Sequence, residues 1–182
     1  MHKPFGPYPA GWMSRRELDW LAERGAEAAR IVEVGVWMGR STVALLSRSP
    51  DCGLYAVDTW AGVPGDPAQE GLYEDPEAAY CAFLANLAAP IALGQVRVMR
   101  EDSVTAAGRL FTECGQSFDL VFLDGDHSYD AVRADIAAYL PLVRPGGILC
   151  GHDFHWSSVE RAVNSMLAPV QRGPDSLWWV RR

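Results

Sequence analysis

The chain has 182 residues, which at about 150 residues per domain fits one domain with a full hydrophobic core. Apolar residues make up 49% of the chain and charged residues 21%, a composition that excludes a disordered or fibrous protein. Sixteen basic residues against 23 acidic ones give a net charge of −7. Binding to nucleic acid or to an anionic membrane through bulk charge is therefore not expected.

The predicted location is the cytoplasm. No apolar run is long enough to span a membrane, and the first residues lack the apolar stretch of a signal peptide. The four cysteines, at positions 52, 81, 114 and 150, have no CxxC spacing. We interpret them as reduced thiols rather than as a disulfide framework or a zinc site.

The predicted elements alternate between helices and short apolar strands. Ser14 and Glu17 form a capping box that starts the first helix, residues 14–29. The predicted strands cover residues 31–34, 54–57, 96–99, 119–123, 148–150 and 177–180. Helices at residues 41–46, 103–113 and 159–167 are predicted between them, together with one after Asp75 and one that runs to Val143 and ends at Pro145-Gly146-Gly147. In helix 103–113 we expect the inward residues to be Val104, Ala107, Leu110 and Phe111.

A long loop interrupts this alternation. Residues 61–75 are rich in Gly and Pro and have no period, and Asp75 with Pro76 starts the next helix. We expect an N-terminal extension, residues 1–13, and a single domain, residues 14–182, in which residues 61–89 form a lid or substrate segment. The aromatic and apolar side chains of this region suit a ring-shaped acceptor or belong to the core; they are Trp60, Leu72, Tyr73 and Tyr80.

Alternating strands and helices predict an α/β fold whose mostly parallel sheet is covered by helices on both faces. Ligands of such sheets bind at the carboxyl ends of the strands. After the first strand, Gly35 and Gly39 would let the backbone approach a ligand, or they form a tight turn without one. Asp58, after the second strand, can accept both hydroxyls of a ribose or act as a loop carboxylate, and the neighbouring Trp60 could line the pocket.

The later strand ends carry more ionisable groups. Asp102 can accept from an exocyclic amine while Ser103 caps the next helix, although capping alone would explain both residues. The segments after the fourth and fifth strands would bring six groups to one cleft: Asp124, Asp126, His127, His152, Asp153 and His155. Carboxylates with imidazoles suit Mg²⁺, Mn²⁺ or Fe²⁺. Some of these residues could instead cap helices, as Ser128 and Asp130 can.

These motifs, in this order, resemble those of the class I S-adenosylmethionine-dependent methyltransferases. The similarity covers residues 14–182 and is greatest to small bacterial enzymes that methylate macrolide sugars and other natural products. It implies a Rossmann-like, doubly wound, seven-stranded sheet with an antiparallel last strand. By resemblance, the cofactor-binding residues are Glu33, Gly35, Val36, Gly39, Ser41, Asp58, Thr59, Trp60, Asp102, Ser103 and Asp124.

The resemblance also implies the catalytic groups. His127 matches a histidine proposed as general base, Asp124 matches a metal-binding carboxylate, and His152 with Asp153 matches a second ligand pair. His152 departs from the family pattern, in which this pair is Asp-Asn, Glu-Asp or Asp-Asp. Mg²⁺ or another divalent cation is therefore expected beside S-adenosylmethionine, and the acceptor is expected to be a small molecule.

The sequence leaves several functions open. The first is metal-assisted O-methylation of a small-molecule hydroxyl with His127 as the base, and the second is methyl transfer without a metal. A hydrolase or oxygenase that uses the same His/Asp cluster is the third, and a non-catalytic cofactor-binding module is the fourth. Seven tryptophans are many for a small domain to bury, so a homo-oligomer is also possible.

Overall fold

The computed structural model describes residues 8–62 and 75–182. The helices are α1 (Arg15–Ala26), α2 (Arg40–Leu46), α3 (Pro76–Asn86), α4 (Ala88–Ala92), α5 (Ser103–Cys114), α6 (Tyr129–Tyr139) and α7 (Ser157–Leu167), with a 3₁₀ turn at Leu140–Leu142. The strands are β1 (Arg30–Val34), β2 (Gly53–Asp58), β3 (Val96–Arg100), β4 (Phe118–Leu123), β5 (Val143–Gly151), β6 (Gln171–Arg172) and β7 (Trp178–Arg181).

The strands of the described residues form one sheet in the order β3-β2-β1-β4-β5-β7-β6. Strands β1 to β5 are parallel, and β7 runs antiparallel to both β5 and β6. The chain crosses from one side of the sheet to the other between β3 and β4, so the switch point lies between β1 and β4. This arrangement confirms the predicted Rossmann-like fold.

Helices cover both faces of the sheet. Ile31 belongs to the core under α1, α2 and α3, whereas its neighbour Val32 belongs to the core under α5, α6 and α7. Successive strand residues point to opposite faces, so one apolar run supplies both cores. The central strands are buried for this reason, and polar groups concentrate at their ends.

The predicted capping box starts α1. The backbone N–H of Glu17 donates to Ser14 Oγ at 3.2 Å, and the Ser14 N–H donates to Glu17 Oε2 at 2.7 Å. The helix ends at Ala26, before the predicted residue 29, because the N–H groups of Ala29 and Arg30 donate to the carboxylate of Asp119. These contacts hold residues 29 and 30 at the start of β1, where they cannot continue the helix.

Two predictions about helices are wrong. Helix α6 ends at Tyr139, and Pro145-Gly146-Gly147 lies within β5. This segment bulges out of the pairing with β4, since Phe118 pairs with Val143 and Leu120 already pairs with Ile148. In α5 the buried residues are Ala106, Ala107 and Leu110, while Val104 and Phe111 are 46% and 54% exposed.

Three short elements, α4, β6 and the 3₁₀ turn, were not predicted. The segment before α1 packs on the domain: Met13 is buried, and the Arg40 guanidinium donates to the carbonyl oxygens of Pro9 and Met13. Residues 63–74 of the predicted lid, which include Leu72 and Tyr73, lie outside the described residues. Within residues 8–62 and 75–182, no helix has the length and apolar character needed to cross a membrane.

Candidate active site

A cavity of about 810 Å³ opens at the carboxyl ends of the parallel strands. Its walls come from the segments that follow β1, β2, β3, β4 and β5, from residues before and within α1, and from the loop before β7. Small-molecule sites usually have volumes of about 300–1,000 Å³. All six ionisable residues predicted to converge after β4 and β5 line this cavity; they are Asp124, Asp126, His127, His152, Asp153 and His155.

The turn after β1 needs glycine at position 35. Gly35 has a φ of +80°, and a Cβ there would lie 2.0 Å from the backbone oxygen of Asp124. The first glycine therefore lets the ends of β1 and β4 approach each other, and Gly35, Val36 and Ser41 line the cavity. Gly39 has another role: a Cβ there would meet Leu87 at 2.5 Å, and the residue does not line the cavity.

Asp58 joins the end of β2 to this turn. Its Oδ2 accepts from the backbone N–H groups of Val36 and Trp37, each at 2.9 Å, and its Oδ1 accepts from Trp60 N at 2.7 Å. Burial raises the pKa of Asp58, and these backbone donors oppose that shift. A carboxylate has about four acceptor positions, and backbone donors already occupy most of them, so a ribose diol would have to displace at least one backbone donor.

Asp102 and Ser103 line the cavity. The residue that caps α5 is Asp102, however, and not Ser103 as predicted. Asp102 caps α5 by accepting from Thr105 N at 3.0 Å, whereas Ser103 is the first helical residue. The Ser103 hydroxyl donates to Asp135 at 2.5 Å. Burial raises the pKa of Asp135 to about 6, with the Ser103 hydrogen bond opposing the shift.

Besides Gly39, two predicted cofactor residues do not line the cavity. The Glu33 side chain is fully buried on the α2 face of the sheet, beside Ser41 and Thr42. The Trp60 ring is also fully buried, packs on Tyr80 and Phe83, and donates its indole N–H to the Trp37 carbonyl. The prediction that Trp60 lines the pocket is therefore wrong, because the ring turns into the core while Thr59 faces the cavity.

The predicted metal ligands lie together at the ends of β4 and β5. The Nδ1 atom of His152 is 3.3 Å from Asp124 Oδ1 and 3.1 Å from Asp153 Oδ2. One possible ligand atom from each of these three residues lies within 4.8 Å of the others. The side chains of His152 and Asp153 are only 10% and 14% exposed, so their charges interact with little screening by water.

A fourth side chain, Glu17 of α1, completes this group. Its Oε1 lies 3.0 Å from His152 Nε2 and also accepts from the Ser176 N–H. Burial alone would raise the pKa of Glu17, but the hydrogen bonds from His152, Ser176 and Ser14 lower it to about 2. Burial would lower the pKa of His152, yet Asp124, Asp153 and Glu17 raise it to about 12. The carboxylates therefore strongly favour a positive charge at this position.

His127 lies beside the same cluster. Its Nε2 is 2.9 Å from Asp153 Oδ2, and its ring packs on Trp156 with centroids 5.2 Å apart. Burial would raise the pKa of Asp153, but hydrogen bonds from His127 and His152 lower it below the usual range. Asp153 also has a φ of +56°, a conformation that costs energy in a non-glycine residue and is typical of functional sites.

The donor set fits a divalent cation. Neighbouring ligands that bind one six-coordinate cation at about 2.2 Å lie about 3.1 Å apart, and the two separations from His152 Nδ1 are 3.1 and 3.3 Å. Two carboxylates and one imidazole are ligands that Mn²⁺ or Fe²⁺ accepts. The same atoms can hold a proton between them, which a bound cation would replace.

The sequence did not indicate Glu17 or the aromatic wall at the mouth of the cavity. Glu17 was assigned fully to the capping box, and nothing in its local sequence points to a partner 135 residues away. Trp12 and Trp37 pack with ring centroids 4.6 Å apart, and both line the cavity. Trp12 lies in the segment that we assigned to a separate extension.

The cavity is strongly acidic. Arg40 is the only lysine or arginine among its described lining residues, and its guanidinium is held by backbone carbonyls. The acidic lining residues are Glu17, Asp58, Glu101, Asp102, Asp124, Asp126, Asp135, Asp153 and Asp175. Such a lining favours cationic ligands.

Comparison with known proteins gives matches that cover most of the chain. A family model described as a methyltransferase domain matches residues 32–154. The uncharacterized protein y4gI of Sinorhizobium fredii is 26% identical over 96% of this chain, which spans only 20% of that protein's length.

Solved structures share the fold. The calicheamicin methyltransferase CalS11 matches with a TM-score of 0.66 and 17% identity, over 91% of this chain and 77% of that one. An O-methyltransferase from Bacillus cereus in complex with SAH matches with a TM-score of 0.69 and 18% identity, over 96% of this chain and 84% of that one.

Proposed function

The chain belongs to the S-adenosylmethionine-dependent methyltransferases of class I, and on that premise we propose that it methylates a hydroxyl oxygen of a small molecule. The observation that carries the proposal is the position of the His127–Asp153 pair. This pair shares one cavity with Asp58 and Asp102. A nucleoside held at the ends of β2 and β3 would therefore face a basic group at the ends of β4 and β5.

We assign the cofactor contacts to the first half of the sheet. The turn from Gly35 to Ser41 would accommodate the methionine part, Asp58 the ribose, and Asp102 with Ser103 the adenine. S-adenosylmethionine supplies a methyl group that its sulfonium already activates. The protein has only to align the acceptor oxygen with that methyl and to exclude water. The acidic lining would attract the positively charged donor.

His127 and Asp153 would handle the proton. A hydroxyl is a weak nucleophile at neutral pH, and a histidine beside a carboxylate can receive its proton as the methyl is transferred. The proton would be received at His127 Nε2, where the carboxylate of Asp153, 2.9 Å away at Oδ2, would stabilise the resulting imidazolium. Trp156, which packs on His127, would keep the ring in place.

A divalent cation would assist at Asp124, His152 and Asp153. Bound there, it would lower the pKa of the acceptor hydroxyl. The His152 ring and both carboxylates would hold the cation. The alternative without a metal predicts that a chelator leaves turnover unchanged. The family match gives no support to the hydrolase and oxygenase alternative.

For the acceptor we propose a chemical class. The pair of Trp12 and Trp37 gives the cavity a flat apolar wall, which suits a phenol or a sugar linked to an aromatic group. CalS11 is a calicheamicin methyltransferase, and a role in natural-product biosynthesis is proposed here by that likeness. Cytoplasmic location and self-association stay predictions from the sequence.

The first experiment separates cofactor binding from turnover. Asp58→Ala should weaken S-adenosylmethionine binding at least about tenfold in calorimetry, because it removes a charged hydrogen-bond acceptor from the cavity. His127→Ala should leave that affinity unchanged but lower the rate of S-adenosylhomocysteine release, with phenols and nucleotide-linked sugars as acceptors, by about 10²–10⁴-fold. Asp51→Ala, an exposed change just before β2, is the matched control. If the wild-type chain does not bind S-adenosylmethionine, the proposed function is wrong.

A further inference from the structure

We propose that Glu17 fixes His152 as a metal ligand, so that the site at Asp124, His152 and Asp153 selects a transition-metal dication over Mg²⁺. This inference rests on the metal-assisted form of the proposed function. It also rests on the contacts of Glu17, on the direction of the His152 ring and on the chemistry of the three donors.

The Glu17 carboxylate is held rigidly. Its side chain is only 4% exposed, and it accepts hydrogen bonds from the backbone N–H groups of Ser14 and Ser176. These donors come from the start of α1 and from the loop before β7, so two separate parts of the chain fix its position. The carboxylate therefore offers His152 Nε2 an acceptor at a constant place, 3.0 Å away.

This contact sets the direction of the imidazole ring. An Nε2–H that donates to Glu17 leaves Nδ1 to face Asp124 and Asp153. The backbone of His152 is also fixed, since its N–H donates to the Leu123 carbonyl and its own carbonyl accepts from the Trp178 indole. A carboxylate on the outer nitrogen of a histidine is the usual partner of a metal-binding imidazole, and it makes the inner nitrogen a stronger ligand.

The donor set decides the metal. Mg²⁺ prefers oxygen ligands only, whereas imidazole nitrogen suits Fe²⁺, Co²⁺, Ni²⁺ and Zn²⁺. With Asn or Asp at position 152 the ligands would all be oxygens; His152 introduces a nitrogen. His127 is not needed as a ligand, because its Nε2 pairs with Asp153.

The experiment measures metal binding without an acceptor. The whole chain is dialysed against EDTA and titrated with Co²⁺, Mn²⁺ and Mg²⁺ by calorimetry, and the visible absorption of bound Co²⁺ is recorded. We expect one Co²⁺ per chain, bound at least about tenfold more tightly than Mg²⁺. Glu17→Gln should lower the Co²⁺ affinity by about 10–100-fold. Glu23→Gln, at an exposed position of the same helix, should not change it.

A second variant tests the nitrogen ligand itself. His152→Asn keeps a group that can donate to Glu17 but replaces the ligand nitrogen by an amide oxygen, so it should reduce the preference for Co²⁺ over Mg²⁺. Circular dichroism and S-adenosylmethionine calorimetry verify that each variant is folded.

Three results would overturn the inference: no metal binding by the wild-type chain, equal affinity for Mg²⁺ and Co²⁺, or equal Co²⁺ affinity in Glu17→Gln and Glu23→Gln. The first result would mean that the carboxylates hold His152 as a protonated cation and that methyl transfer runs without a metal. Failure of the proposed function is a separate result, because a chain that binds Co²⁺ but no S-adenosylmethionine contradicts the methyl transfer and leaves the metal site intact.

Discussion

Glu33 is predicted from its sequence position to contact the cofactor, but its side chain does not line the cavity. It precedes a glycine-containing turn, as a cofactor-binding carboxylate should, yet it lies on the α2 face of β1 and is fully buried. Burial raises the pKa of Glu33 to about 8, although the nearby hydroxyls of Ser41 and Thr42 oppose the shift. The sequence identified the strand end, but only the register of β1 decides which face an end residue takes.

This buried carboxyl should make stability depend on pH. Because its pKa is higher in the folded state than the ordinary 4.5, folding favours the protonated form. Its contribution is fully present below pH 4.5 and is lost as the pH rises to about 8. The free energy of unfolding of Glu33→Gln should therefore rise relative to that of the wild type by about 1.4 kcal/mol per pH unit in this range. Above this range the difference between the two proteins should stay constant.

Chemical denaturation of both proteins between pH 5 and pH 9, the range that spans this titration, measures the effect. Parallel stability curves would contradict the assignment. Affinity for S-adenosylmethionine should not change in Glu33→Gln, since the side chain does not line the cavity.

The residues at the start of α5 cap the helix and also line the cavity. Asp102 accepts from Thr105 N and Thr105 Oγ1, and it also lines the cavity. Asp102→Ala should cost about 1 kcal/mol of stability through loss of the cap, whereas Asp102→Asn should cost less, because Asn caps helices as well as Asp does. Denaturation midpoints measure both effects.

Cofactor binding then separates the two roles of Asp102. Ser128→Ala removes the cap of α6, and Ser128 is not among the residues that line the cavity, so it is the matched control. If Asp102 contacts adenine, Asp102→Ala weakens S-adenosylmethionine binding and Ser128→Ala does not. Equal affinities in the two variants would restrict Asp102 to capping.

The elements were predictable where a local signal defines them. The capping box at Ser14 and the apolar strands β1 to β4 follow from short patterns, and the structure confirms them. The long strand β5 is only partly predictable from its sequence, because Pro145-Gly146-Gly147 reads as a helix end, whereas Val143 and Ile148 on either side of it both pair with β4. Contacts between distant parts of the chain, such as Glu17 with His152, leave no local pattern.

The net negative charge of the chain is concentrated in the cavity. Nine acidic side chains line it, from Glu17 to Asp175. S-adenosylmethionine carries a sulfonium charge that S-adenosylhomocysteine lacks. Raising NaCl from about 50 to about 300 mM should therefore weaken binding of the donor several-fold more than binding of the product, because salt screens the attraction of the sulfonium. Calorimetry with both ligands measures the difference, and identical salt dependence would mean that the acidic lining does not act on the sulfonium.

The contacts of Glu17 also set the order in which the site forms during synthesis. Its carboxylate meets His152 135 residues further along and Ser176 159 residues further along. A chain leaving the ribosome at about 5–20 residues per second exposes α1 long before either partner exists. The Glu17 carboxylate can orient the imidazole only after residue 152 has emerged, and its second backbone donor, the Ser176 N–H, emerges later still. Under the proposed function, the cation site would therefore be among the last parts of the cavity to become ordered.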